Sequence, residues 1–193
     1  MCGRYYIDDE TAREIEKLVK DLDRNSGWAV TGDVRPSEEA MVVKEKQHRP
    51  ETGRMYWGFP GYDGKGLLVN ARSEEILEKK TFRDCMLHRR CIIPARGFYE
   101  WNRQKEKFTF EREDHKPLYL AGCFDFCKDR ECFVILTTQA NPSVLPVHDR
   151  MPLILEQQEI EHWLCDEKEA EALLHKTPVL LKRCTDYEQL RLF

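Results

Sequence analysis

The sequence contains no run of apolar residues close to the roughly 20 that a membrane-spanning helix requires. It also contains no internal repeat, low-complexity segment or linker rich in proline and glycine. A strong positive charge is missing too, because acidic residues outnumber basic ones and the formal net charge is −4. These absences argue against a membrane protein, a repeat array and a general binder of polyanions. We therefore predict one domain over residues 1–193 that makes no membrane contact and requires no partner copy, hence a monomer.

The chain has eight cysteines but no signal peptide ahead of them, and a chain of this length does not need disulfides to fold. We therefore expect a reducing cytoplasm. Cys123, Cys127 and Cys132 lack the paired spacing of structural zinc sites. Their neighbours are typical of strand interiors, where cysteine acts as a small apolar residue. The sequence predicts neither a metal nor a cofactor.

The periodicity of apolar residues predicts an α+β fold. A first helix is expected to open at Asp8-Asp9 and end near Asn25-Ser26-Gly27, with apolar residues at helical spacing. Short β-rich runs follow at 41–43, 55–57, 67–69, 91–93, 97–101, 108–110, 118–120 and 132–138. Ser73 is predicted to cap a short helix, and a helical stretch over about 157–174 is predicted to break near Asp166. The spacing indicates a single compact unit of largely antiparallel sheets flanked by helices.

The first four residues are Met1-Cys2-Gly3-Arg4, which places a cysteine directly behind a methionine. Removal of Met1 would give Cys2 a free α-amine beside its thiol. An α-amine with a pKa near 7.7–8.0 forms Schiff bases with aldehydes near neutral pH. The thiol can then close on the imine carbon to give a five-membered thiazolidine, a step favoured because it is intramolecular. Position alone is also compatible with an ordinary buried cysteine.

Three polar segments lie at the ends of predicted strands, where rigid elements can support a site. Asn70 and Arg72 follow an apolar strand. Either Asn70 binds a reacting group and Arg72 a phosphate, or Asn70 forms a turn and Arg72 is solvated. Glu100 lies between aromatic residues; if it points inward, burial raises its pKa and suits it to proton transfer. His148 is flanked by an acid and a base, which can hold and tune an imidazole.

Aromatic and proline residues in predicted loops admit two interpretations. Arg35 and Pro36 lie in one predicted loop and Trp57 lies in another. If Trp57 is exposed it can stack on unpaired bases, and if it is buried it fills the core. The sequence of this segment alone favours core filling.

Taken in order, these segments resemble the SRAP (SOS response-associated peptidase) family, whose members cross-link to abasic sites in single-stranded DNA. The resemblance covers about residues 1–165 and is carried by five blocks: Met1-Cys2-Gly3-Arg4-Tyr5; Tyr56-Trp57-Gly58, preceded by Pro36; Asn70-Ala71-Arg72-Ser73-Glu74; Cys91-Ile92-Ile93-Pro94 leading to Gly97-Phe98-Tyr99-Glu100-Trp101; and Leu136-Thr137-Thr138 leading to His148-Asp149-Arg150-Met151-Pro152. Each block is weak alone, but five in the right order form a specific signal. The family fold implied is a sheet-rich α+β domain with twisted, barrel-like sheets.

The resemblance implies a role for each matched residue. Cys2 would capture the aldehyde of an abasic site, Asn70 would orient the Cys2 amine, Glu100 would move protons, and His148 would act on the sugar during Schiff-base formation, reversal and strand-cleaving β-elimination. The residues implied to contact DNA are Arg4, Pro36, Trp57, Arg72, Thr137, Arg150 and Met151. The implied partner is single-stranded DNA with abasic sites, bound at the nucleoid by a cytoplasmic protein. Local arginines are compatible with the acidic net charge, because phosphate contacts need a patch and not a basic protein.

Three other functions remain open from the sequence. An N-terminal cysteine also serves as nucleophile in glutamine amidotransferases, although the remaining parts of such a site are not evident here. A thiol peptidase that acts on its own leader is a closer alternative. A non-catalytic DNA-binding module is the third.

Overall fold

The computed structural model describes residues 2–20, 31–47 and 49–185. Within these ranges the helices are α1 (Asp9–Lys20), α2 (Lys80–His88), α3 (Ile160–Cys165) and α4 (Glu167–Leu173), with short 3-10 helices at Ser73–Glu75 and Gln157–Glu159. The strands are β1 (Tyr5–Ile7), β2 (Gly32–Val34), β3 (Glu39–Lys46), β4 (Arg49–Trp57), β5 (Phe59–Pro60), β6 (Leu67–Leu68), β7 (Asn70–Arg72), β8 (Arg90–Ala95), β9 (Gly97–Trp101), β10 (Lys107–Glu111), β11 (Leu118–Cys127), β12 (Arg130–Gln139), β13 (Arg150–Pro152), β14 (Ile154–Leu155) and β15 (Lys182–Thr185).

The larger sheet closes on itself. Its strands run in the order β12, β4, β3, β8 and β11, and β11 pairs with β12 again to complete a five-stranded barrel. These pairings are antiparallel except the one between β12 and β4, which is parallel. Strands β7 and β13 attach to β12, and β14 attaches to β11. Closure pairs the strand edges that an open sheet would leave exposed.

A second, antiparallel sheet of five strands runs in the order β15, β10, β9, β1 and β2. One apolar cluster joins this sheet to the barrel and includes Tyr5, Trp57, Phe98, Phe110 and Phe133. A second cluster packs the helices against the barrel. Alternation assigns strand residues to the two clusters, because successive side chains of a strand point to opposite faces. Thus, in β12, Phe133 and Ile135 join the first cluster while Val134 and Leu136 join the second.

The α+β class and the largely antiparallel sheets are confirmed, as is the predicted strand at Gly97–Trp101. The helical break at Asp166 is also confirmed, since the Asp166 carboxylate accepts hydrogen bonds from the main-chain N–H groups of Lys168 and Glu169 and so caps α4. One prediction needs correction. Ser73 does not cap a helix: it is the first residue of a 3-10 turn that ends at Glu75, and the cap position is Arg72. Helix α2 and strand β1 were not predicted.

The first helix begins at Asp9 as expected, and its predicted end near Gly27 lies outside the described residues. Among the described residues, no helix is both long and apolar enough to cross a membrane. A single domain over residues 1–193 remains a prediction.

Candidate active site

Cys2 lies at the junction of the two sheets. Strand β1 pairs antiparallel with β9, placing Tyr5 opposite Phe98, and the Tyr99 N–H donates to the Arg4 carbonyl at 3.0 Å. Followed backwards from Tyr5, the chain therefore runs toward the Glu100 end of β9. Cys2 is fully buried there, within the cluster that joins the sheet to the barrel. The register of β1 thus brings the candidate nucleophile beside the candidate acid.

Asn70 fixes the Cys2 main chain from the barrel side. Its Nδ2 donates a hydrogen bond of 2.9 Å to the Cys2 carbonyl oxygen. Asn70 is held in place because β7 pairs in parallel with β12, with Asn70 opposite Ile135. The other side-chain atom, Oδ1, is buried and has no hydrogen-bond partner among the described residues. An orphaned buried acceptor costs free energy, and its location beside Cys2 makes it available to an amine or a sugar hydroxyl.

Glu100 points into the protein, which answers the question left open by the sequence. It is 2% exposed and shares the buried face of β9 with Phe98, while Tyr99 and Trp101 lie on the more exposed face. Burial raises the pKa of the Glu100 carboxyl, and nearby positive charge acts in the opposite direction. A raised pKa makes a carboxyl better suited to give and take a proton during a reaction.

Burial also raises the pKa of the Cys2 thiol well above its usual range, and the negative charge of Glu100 adds to this effect. Within the described part of the chain, the Sγ atom makes a long contact of 3.8 Å with the Arg4 carbonyl oxygen. The thiol is therefore protonated at neutral pH. This is the reverse of the environment of a thiolate nucleophile, which needs a lowered pKa.

His148 lies in the turn between β12 and β13, and its side chain is 25% exposed. Its Nδ1 accepts a hydrogen bond of 2.9 Å from the Arg150 main-chain N–H. The same Nδ1 lies 3.0 Å from an Asp149 carboxylate oxygen, a contact that requires a proton on Nδ1. One nitrogen cannot serve both contacts at once. Because Asp149 is 83% exposed and the N–H is a permanent donor, we assign the neutral ring with its proton on Nε2.

An open groove of about 760 Å³ adjoins His148. It lies between the turn after β9 and the turn before β13, and it is lined by residues 101–104 and 145–149. Arg4 borders this region, with its guanidinium carbon 5.5 Å from the centre of the Trp101 ring. Arg4 also lies 3.6 Å from Asp33 in a partly exposed ion pair. A groove with a cation and an aromatic ring at its edge suits a polyanion that carries flat bases.

The other two predicted arginines differ in exposure. The side chain of Arg72 is 61% exposed and makes an ion pair of 3.3 Å with Glu75, so it is accessible to a phosphate. The side chain of Arg150 is only 12% exposed. Both of its terminal nitrogens donate to Glu74 at 2.8 Å, and one also donates to the Thr137 carbonyl oxygen at 2.6 Å. Arg150 is thus largely engaged within the protein.

Of the remaining predicted contact residues, Pro36 alone is partly exposed. Trp57 is fully buried, stacks on Phe133 and donates from Nε1 to the Val69 carbonyl oxygen at 2.9 Å. Met151 and Thr137 are also fully buried. The structure therefore does not support a direct DNA contact for Trp57, Met151 or Thr137, because none of them presents a surface. The core-filling interpretation of Trp57 is the one that its burial and partners favour.

Comparisons with known proteins identify the family of the chain. The family model of the SOS response associated peptidase (SRAP) matches residues 1–190. The chain belongs to the SRAP family. It is 27% identical over 179 residues to the abasic site processing protein YedK of Escherichia coli, covering 86% of this chain and 81% of that protein. It is 29% identical over 179 residues to the abasic site processing protein YoqW of Bacillus subtilis, covering 85% and 80%.

Solved structures show the same fold. A crystal structure of a Bordetella bronchiseptica protein superposes with a TM-score of 0.78 at 23% identity, covering 95% of this chain and 99% of that one. A Bacteroides thetaiotaomicron protein gives a TM-score of 0.73 at 24% identity, covering 95% and 91%. At this level of identity the likeness concerns the fold. The fold described above is therefore shared with both of these proteins.

Sequence reasoning missed three residues of this SRAP site. Tyr5 is fully buried, its hydroxyl has no hydrogen-bond partner among the described residues, and burial together with the neighbouring Cys2 raises its pKa. Trp101 lines the groove and carries Arg4 above its ring. Glu74 holds Arg150. All three residues stand inside the blocks that carry the resemblance, but only the fold reveals what they contact.

Proposed function

We propose that this protein captures abasic sites in single-stranded DNA through Cys2 and forms a covalent thiazolidine cross-link. The observation that carries the proposal is the placement of Cys2 between two polar groups: Asn70 holds its carbonyl, and the buried Glu100 lies close enough to raise its thiol pKa. The match to the SRAP family and the names of the curated relatives supply the substrate class.

The proposed reaction has two steps. The α-amine of Cys2, freed by removal of Met1, adds to the C1′ aldehyde of the opened sugar, and loss of water gives a Schiff base. The thiol then adds across the carbon–nitrogen double bond: a carbon–sulfur bond forms, and the thiol proton passes to the nitrogen. Met1 lies outside the described residues.

The raised thiol pKa sets the order of these steps. A protonated, buried thiol is a poor first nucleophile, whereas an α-amine has a reference pKa near 7.7–8.0 and is partly unprotonated near neutral pH. The amine therefore attacks first and the thiol closes the ring. The same feature disfavours a thiol peptidase, which would need Cys2 as a thiolate.

The other residues have distinct parts in this proposal. Glu100, with its raised pKa, gives a proton to the leaving hydroxyl and regains one from the nitrogen as the neutral Schiff base forms; during ring closure it passes the thiol proton to the nitrogen. His148 offers Nε2–H to the sugar at the edge of the groove and takes part in reversal and lyase chemistry. Arg4, Arg72 and Pro36 offer the exposed or partly exposed surface for the strand. The protein acts as a monomer, in the cytoplasm at the nucleoid.

The test is a denaturing gel of the protein with single-stranded DNA that carries one uracil, before and after uracil removal. Wild type is compared with Cys2→Ala and with the control Cys165→Ala, which removes an exposed cysteine in α3. We expect a shifted band only with the abasic strand, retained in the control and absent in Cys2→Ala. If intact mass shows that Met1 is absent and wild type still gives no band, abasic-site capture is wrong, and glutamine hydrolysis and peptide cleavage should be assayed instead.

A further inference from the structure

We propose that Glu74 is a positioning residue for this site: it locks the guanidinium of Arg150 and, through the Arg150 main chain, holds the His148 ring with its proton on Nε2. The part of this proposal that concerns cross-linking rests on the proposed function. The part that concerns the ring does not.

The ion pair between Glu74 and Arg150 is bidentate. Nη1 donates to Oε1 and Nη2 donates to Oε2, both at 2.8 Å. Two parallel hydrogen bonds fix the plane and the direction of a guanidinium, which a single contact does not. The pair is also partly shielded, with side-chain exposures of 12% for Arg150 and 34% for Glu74. The hydrogen bonds from Arg150 lower the pKa of Glu74, so this carboxylate is charged near neutral pH.

The Arg150 side chain is anchored at a second place. Nη2 also donates to the Thr137 carbonyl oxygen at 2.6 Å, and Thr137 is fully buried in β12. Arg150 itself pairs with Gln139 across β12 and β13. The side chain and the main chain of Arg150 therefore both contact strand β12. Glu74 contacts the guanidinium as well, from a segment outside that strand.

The main chain of Arg150 transmits this position to His148. Its N–H donates to Nδ1 of the ring at 2.9 Å, which places the proton of the neutral ring on Nε2. A small displacement of this N–H would weaken the bond and leave Nδ1 to the exposed carboxylate of Asp149, 3.0 Å away. The contact with Asp149 favours the tautomer that carries its proton on Nδ1. The tautomer of His148 thus depends on where Arg150 is held.

Glu74 also connects the two sides of the site. It follows Asn70 by four residues, and Asn70 holds the Cys2 carbonyl. Strands β7 and β13 both pair with β12 at Thr137, which lies opposite Arg72 on one side and Pro152 on the other. The Glu74–Arg150 pair therefore joins the segment that orients Cys2 to the segment that carries His148.

The competing idea is that Glu74 merely occupies Arg150 until a DNA phosphate displaces it. The two ideas predict different effects of removing the Glu74 charge on DNA affinity and on the rate of cross-linking. If Glu74 is displaced by phosphate, removing its charge frees Arg150 and strengthens DNA binding. If Glu74 positions Arg150, removing its charge loosens the ring and slows the reaction while binding changes little.

The test compares Glu74→Gln with Glu75→Gln, a matched control in the same 3-10 turn whose ion pairs are to Arg72 and Lys79. In the absence of DNA, ¹⁵N-detected imidazole spectra report the tautomer of His148, identified among the six histidines by its loss in His148→Gln. We expect the Nε2–H form in wild type and in Glu75→Gln, and a mixture of tautomers in Glu74→Gln. We also expect cross-linking by Glu74→Gln to slow about 5-fold, with DNA affinity within about 2-fold of wild type, because the glutamine amide can accept only one of the two hydrogen bonds that Arg150 donates to Glu74, and accepts it without a charge.

An unchanged imidazole spectrum in a folded Glu74→Gln protein overturns the proposal, and so does tighter DNA binding with faster cross-linking. Should Glu74→Gln fail to fold, Arg150→Lys replaces it, because lysine keeps the charge but cannot make the two-pronged contact. The same change in tautomer is expected there. If wild type does not cross-link at all, the proposed function fails, while the spectra still decide the position of the ring.

Discussion

The hydrogen bond from Asn70 to the Cys2 carbonyl offers the sharpest test of how the site holds its nucleophile. Asn70→Ala removes a bond of 2.9 Å in a partly buried setting. Such a bond contributes about 0.5–1.5 kcal/mol net, and each 1.36 kcal/mol corresponds to tenfold in rate. If the bond serves to orient Cys2, cross-linking should slow roughly 2- to 10-fold.

Asn70→Asp has almost the same shape but should be worse than alanine. It replaces the Nδ2 donor with a carboxylate oxygen that faces the Cys2 carbonyl oxygen, so two acceptors meet without a proton between them. An uncompensated polar contact of this kind costs about 1–3 kcal/mol, which adds roughly another tenfold. The assay is the first-order rate of the shifted band on a denaturing gel, with intact mass to verify Met1 removal in each variant. An aspartate variant as fast as the alanine variant would refute the reasoning.

Three further outcomes are expected. Glu100→Gln should raise the melting temperature more at pH 8 than at pH 4.5, and it should suppress cross-linking. The Glu100 pKa is higher in the folded state than in the unfolded state, so as the pH rises the unfolded state loses its proton first. Wild type therefore loses stability as the pH rises, and the glutamine variant does not. Equal gains at both pH values would contradict this. Trp57→Ala should lower the free energy of unfolding by about 3–5 kcal/mol in urea titrations, as for a core residue; unchanged stability with weaker DNA binding would restore the DNA-contact interpretation. Cys2→Ser should form an adduct that is lost sooner on heating, because an oxygen ring closes less favourably than a sulfur ring; equal survival would count against thiazolidine formation.

The sequence predicted best what depends on local alternation. In β9 the period of two assigned Phe98 and Glu100 to one face and Tyr99 and Trp101 to the other, and the structure has this arrangement. Alternation could not say which face is buried, because that depends on the barrel packed against the sheet. The direction of Glu100 therefore needed the fold.

Long-range pairing explains what the sequence did not predict. Strand β1 has three residues and is defined by its partners β2 and β9 rather than by its own composition. Helix α2 begins after Lys79 without a side-chain cap, so the usual start signal is missing. Trp57 was assigned a DNA contact through the family resemblance, although its own segment favoured the core. Its stacking on Phe133 depends on the parallel pairing of β4 with β12, which no local pattern encodes.

The chemistry of the site and its cost in stability have the same cause. Burial opposes ionisation of both Cys2 and Glu100, and the Asn70 Oδ1 atom is buried without a partner among the described residues. Each of these features weakens the fold, since buried polar groups are stable only when they are paired. At the surface they would cost less, but Glu100 would then be an ordinary carboxylate and could not serve as an acid near neutral pH. The apolar cluster that joins the sheet to the barrel surrounds Cys2 and supplies the compensating stability, so the same core that stabilises the fold also raises the pKa of the Glu100 carboxyl and of the Cys2 thiol.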